Sequence, residues 1–142
     1  MKLRFAALAA VSTVCLVAAG PLQAKTIHFV VVLNGASQVP PNTTAGTGEV
    51  KADLDTVTKV FSYTVTYSGL TGPAVAAHFH GPAAADANAP PVIAMKELAS
   101  PITGTAVLTA PQMSDLQAGK WYFNVHTRAN PGGEIRGQLT TR

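Results

Sequence analysis

The sequence predicts an all-β domain: an antiparallel Greek-key sandwich or barrel of seven to eight strands, with one short helix near residues 111–118. Three observations predict it. Segments of alternating apolar and polar residues recur at a spacing of about 8–12 residues, separated by Gly, Pro, Asn and Thr clusters. Only one stretch carries helix start and stop signals. No internal repeat or second block of different composition interrupts the series.

Thr26 to Leu33 is rich in β-branched residues and ends at Asn34-Gly35, which turns the chain. Val39-Pro40-Pro41-Asn42-Thr43-Thr44 is a loop, because two consecutive prolines remove two backbone donors. From Gly48 to Leu54, apolar Val50, Ala52 and Leu54 alternate with charged Glu49, Lys51 and Asp53. Lys59 to Tyr67 alternates again, and the two segments form a predicted hairpin with one buried face. Ala74 to His80 is the next strand, followed by an Ala- and Pro-rich loop from Gly81 to Pro91. Val92 to Leu98 and Ile102 to Leu108 are weaker strands. Ala110 to Gly119 holds the helix, with Pro111 near its start, Gly119 at its end, and Met113 and Leu116 three apart. Lys120 to His126 and Glu134 to Leu139 close the domain around the loop from Thr127 to Gly133.

The chain has 142 residues, and the first 24 read as a secretory signal peptide. Met1-Lys2-Leu3-Arg4 is its positive start, Phe5 to Ala19 its apolar run, and Leu22-Gln23-Ala24 its cleavage segment; the run is too short for a spanning helix. Residues 25–142 form the single folded domain. Cys15 lies in the leader, so the mature chain has no cysteine for disulfides or nucleophilic catalysis. The formal charge of +3 includes Lys2 and Arg4, and without them basic and acidic residues nearly balance. Nucleic-acid binding has no electrostatic footprint here, and no span remains after cleavage. The expected location is periplasmic or secreted.

Chemistry concentrates in the histidines. His78 and His80 are two residues apart, so on a strand they share a face while Phe79 points the other way. The same parity sets Tyr122, Asn124 and His126 opposite Trp121, Phe123 and Val125, and Glu134, Arg136 and Gln138 opposite Ile135, Gly137 and Leu139. If these strands are neighbours, His78, His80, His126, Glu134 and Arg136 gather on one side of one sheet. Three imidazoles there make a transition-metal site; three histidines on a half-solvated face are equally what a soluble strand shows. Glu134 has three open roles: ligand, ion-pair partner of Arg136, or a group that orients a histidine. His28, at the head of the first strand, has no such company.

Several motifs together resemble the CHRD domain, first described in chordin and found singly in exported bacterial proteins. They are Asn34-Gly35-Ala36-Ser37-Gln38-Val39-Pro40-Pro41, Tyr63 to Leu70, Ala77-His78-Phe79-His80-Gly81-Pro82, Asn124-Val125-His126-Thr127 and Asn130 to Leu139. The resemblance implies an extracellular module. His-x-His, a later Val-His and a Gly-rich turn leading to an arginine also resemble the copper half of Cu/Zn superoxide dismutase, an eight-stranded Greek-key sandwich. That likeness implies copper ligands at His78, His80 and His126, with Arg136 guiding an anion. No histidine stands between His80 and His126 as a bridging ligand, and the zinc-loop ligands are absent, so a mononuclear site is implied.

The expectation is therefore an exported domain binding one copper or similar ion through His78, His80 and His126, for metal handling or limited redox chemistry. Glu134 and Arg136 would stand behind the ligands or attract an anion. The alternatives are a metal-free module binding protein or polysaccharide, and a copper-only dismutase-like enzyme.

Overall fold

The computed structural model describes residues 25–141. The signal peptide expected over residues 1–24 lies outside them. Eight strands follow in order: β1 (Thr26–Asn34), β2 (Thr47–Asp55), β3 (Val60–Ser68), β4 (Ala74–His80), β5 (Pro91–Ala94), β6 (Ile102–Val107), β7 (Trp121–Thr127) and β8 (Ile135–Leu139). One helix, α1 (Ala110–Gln117), lies between β6 and β7. Among the described residues, no helix is long and apolar enough to cross a membrane.

All strands join one antiparallel sheet in the order β5-β4-β7-β8-β1-β2-β3-β6. The sheet folds over until it is nearly closed. Its two halves meet through aromatic rings: Phe61 of β3 packs edge-on against Phe79 of β4 at 5.2 Å and against Trp121 of β7 at 6.1 Å. Phe79 reaches Phe123 at 4.7 Å. Phe29, Leu33, Val50, Leu54, Val125, Ile135 and Leu139 complete this core. The halves are joined where Asn34 of β1 faces Arg136 of β8. Gly137 permits that junction, because a Cβ there would lie 2.5 Å from the Val32 carbonyl oxygen.

The helix is specified by its ends. Thr109 accepts from the Gln112 amide at 3.3 Å while the Gln112 side chain accepts from the Thr109 amide at 2.9 Å, a reciprocal cap. Leu116 is its buried anchor. The largest departure from the sequence reading is β5, expected over Val92 to Leu98 but ending at Ala94. The Met95 amide still reaches the Ala77 oxygen at 2.9 Å, after which the chain leaves the sheet edge. Leu98 is turned back so that its carbonyl accepts from the Tyr67 hydroxyl.

The histidine-bearing face of β4, β7 and β8 is not a solvated face. Tyr122, Asn124 and Arg136 are as buried as core residues, although they point away from the core. The segment 81–90 folds back over them. Gln138 Nε2 donates to Ala83 O at 2.9 Å, Asn88 Nδ2 to Val39 O at 2.8 Å, and the Ala83 amide to Lys120 O at 2.8 Å. A second, polar layer thus lies between the sheet and this segment.

Candidate metal centre

β4 and β7 are neighbours, with His78 opposite Asn124, His80 opposite Tyr122, and Ala76 opposite His126. His126 is therefore diagonal to His78, and the three imidazoles form a compact triangle. Ring centroids lie 5.2 Å apart for His78–His80 and His78–His126, and 6.3 Å for His80–His126. One ligand nitrogen from each lies within 4.8 Å of the others. His78 and His126 are half-buried, and His80 is 6% exposed.

Backbone carbonyls fix two of the rings. His126 Nδ1 lies 2.9 Å from Pro131 O and His80 Nδ1 lies 2.8 Å from Ala89 O. A carbonyl oxygen only accepts, so neutral His126 carries its proton on Nδ1 and keeps a lone pair on Nε2, and the Ala89 carbonyl favours the same tautomer at His80. His80 also stacks on Tyr122, with centroids 4.7 Å apart and planes 2° from parallel. His126 Nε2 is 3.3 Å from His78 Nδ1. Two nitrogens bound to one ion at about 2.0–2.1 Å stand about 3.3–3.5 Å apart in tetrahedral or trigonal geometry. The His78–His126 pair already has that spacing, and His80 completes the set by a small swing inward. Burial pushes the His78 and His80 imidazoles below the usual histidine range; the other histidines push His78 the same way, as do His126 and Arg136 for His80. Neutral imidazole is the form that binds a metal.

The CHRD domain model matches residues 29–139. The chain belongs to the CHRD domain family. No curated protein and no solved structure matches it. The likeness to the copper half of a dismutase accordingly rests on the sequence motifs alone.

Within this CHRD domain Arg136 meets the histidines only through the Tyr122 ring, and Glu134 makes its contacts away from them. Arg136 is 1% exposed, with its guanidinium 3.5 Å from the Tyr122 ring centroid. It donates to Asn88 Oδ1 at 2.9 Å and to the carbonyls of Ala87, Ala85 and Ala84 at 2.9, 3.3 and 3.4 Å. Its donors are spent on holding segment 81–90 down and on Gln138 Oε1. Glu134 pairs neither with Arg136 nor with a histidine. It precedes β8, after Gly133 at φ +124°, and is not held in that strand's alternation. Its carboxylate accepts from the hydroxyls of Thr44 (2.7 Å), Thr71 (2.6 Å) and Thr127, and from the Thr71 amide at 2.7 Å. Burial pushes its pKa up, but these bonds outweigh it and hold the group at about 2.

Sequence reasoning did not assign a role to Asn124, whose Oδ1 is 2.9 Å from His80 Nε2. The signal was present, since Asn124 shares the parity of His126 on β7. The supports from Ala89 O and Pro131 O are backbone atoms, which no sequence pattern marks.

Proposed function

We propose that this chain is an exported CHRD-domain protein that binds one copper ion through His78, His80 and His126. The observation that carries the reading is the convergence of three imidazoles, two of them with Nδ1 bonded to backbone carbonyls, on one half-buried point. An all-imidazole set suits copper, zinc and nickel, and copper(II) binds most tightly in the divalent series. The half-burial of His78 and His126 supports access for the ion and for a small molecule at a further coordination position. Bound copper would supply metal storage or one-electron chemistry there. The leader over residues 1–24 supports a periplasmic or secreted setting.

Calorimetric titration of the protein from Lys25 onward with Cu(II) and Zn(II), against a His80→Ala control, tests the reading. One-to-one copper binding lost in the control is the expected result. No binding above the control overturns it and leaves the metal-free interaction module.

A further inference from the structure

Two hydrogen-bonding conflicts meet at Asn124. His80 stands between two oxygens, Ala89 O at 2.8 Å from Nδ1 and Asn124 Oδ1 at 2.9 Å from Nε2. A neutral imidazole has one N–H, so one of these contacts sets a lone pair against a lone pair. Satisfying both requires a charged ring at a site 6% exposed. The second conflict involves Gln38, which is 5% exposed. Among the described residues, its Nε2 is the buried side-chain atom left without a hydrogen-bond partner. The point that a Cβ on Gly133 would occupy lies 2.4 Å from Gln38 Nε2 and 2.8 Å from Asn124 Nδ2. Gln38 Oε1 lies 2.8 Å from the same point, so the ends of both amides crowd the space under Gly133 while Gln38 Nε2 stays unpaired.

The oxygen and nitrogen of an amide have nearly the same shape, and the hydrogen-bond network decides which is which. A half-turn of the Asn124 amide removes both conflicts. Its nitrogen then donates to His80 Nε2, its oxygen faces Gln38 Nε2, and His80 Nδ1–H keeps its bond to Ala89 O. Turning Gln38 instead leaves His80 between two oxygens. Only the Asn124 rotation satisfies every group.

We propose that Gln38 and Asn124 form a relay that caps the His80 Nε2 lone pair in the metal-free protein and releases it when a metal binds. Asn124 is then a positioning residue that competes with the ion. The geometry supports a release step: the ligand nitrogens lie within 4.8 Å of one another, and coordination draws them to about 3.3–3.5 Å. His80 Nε2 has a single lone pair, so a bond to the ion and a hydrogen bond from Asn124 exclude each other. The inference rests on the three-histidine reading of the site.

The test has two readouts. Long-range proton–nitrogen spectra of the purified metal-free protein at pH 7 report which His80 nitrogen carries the proton. Protonated Nδ1 with bare Nε2 is expected, and a protonated Nε2 overturns the relay. Zinc titration of wild type and Asn124→Ala then reads the competition. Loss of the cap should tighten zinc binding about five- to tenfold, the fold-change of one hydrogen bond. Unchanged or weaker binding overturns the competition. If Asn124→Ala does not fold, the wild-type spectrum decides. The spectrum needs no metal, so the two failures separate. Zinc uptake with protonated Nε2 sinks the relay alone, whereas a capped, bare Nε2 without zinc uptake sinks the metal reading and the competition with it.

Discussion

Two polar clusters flank the turn that joins β7 to β8, and they differ in how their lone pairs are used. At Glu134 the carboxylate is fully buried and accepts from three threonine hydroxyls, the Thr71 amide and Asn130 Nδ2 at 3.2 Å. Its partners come from the loop before β2, the loop before β4 and the end of β7, so the charge ties three segments together. At the histidines the pattern is reversed. Backbone carbonyls accept the Nδ1–H of His80 and His126, and the bare Nε2 of His126 stands 3.3 Å from His78 Nδ1. A saturated acceptor stabilises the fold; an imidazole nitrogen whose ring partner already holds the proton keeps a lone pair of the kind that ligates a metal. Burial alone does not tell the two apart, because Glu134 and His80 are both buried.

Removing the saturated charge should cause the largest loss. Glu134→Ala leaves five donors without their charged acceptor and should cost about 3–5 kcal/mol in urea unfolding. A loss below about 1 kcal/mol would mean that water replaces the carboxylate and that the cluster is not structural. Arg136→Gln comes next. It strips the donors from the carbonyls of 84–87 and should cost about 2–3 kcal/mol while increasing amide exchange across residues 81–90. Unchanged exchange there would show that Gln138 and Asn88 hold the segment without it.

Acid sharpens the contrast. Glu134 is held at about 2, below its unfolded value, so the unfolded chain binds the proton first. The stability Glu134 contributes is present above about pH 4.5 and is lost as pH falls toward about 2. His78 and His80 also lie below their unfolded value of 6.5, so their contribution is present above that pH and is lost as acid protonates them. Urea midpoints measured from pH 7 to pH 2.5 should fall in both windows. Glu134→Gln should flatten the lower window, and His78→Ala should reduce the upper one. A His78→Ala profile identical to wild type above pH 4.5 would remove His78 from the acid response.

The strands and the parity of their histidines were legible in the sequence because alternation is local. Ala74 to His80 and the face shared by His78, His80 and His126 follow from a period of two. The placement of Glu134 and Arg136 was not legible. Arg136 is satisfied by carbonyls of an Ala-rich segment about 50 positions earlier, and any residue offers a carbonyl. Thr44 and Thr71 reach Glu134 from 90 and 63 positions away, and threonines between strands carry no mark of a partner. The segment 81–90 has no periodicity, so nothing announced that it would cover a face whose strands alternate as if it were wet. Alternation identifies the two faces of a strand; what covers the second face depends on contacts distant in sequence.

The smallest stability effect should carry the largest functional one. His78 is half-buried, and its ring nitrogen meets only His126 Nε2. Its removal leaves no donor stranded, because Nε2 of His126 keeps a lone pair rather than losing an acceptor. His78→Ala should therefore cost no more than about 1 kcal/mol. Copper binding, by contrast, loses the ligand whose spacing to His126 already fits coordination and should fall below detection in the same titration. Full-strength copper binding by His78→Ala would move the site to other ligands. A loss of several kcal/mol would place His78 with Glu134 as part of the frame and end the division between the two clusters.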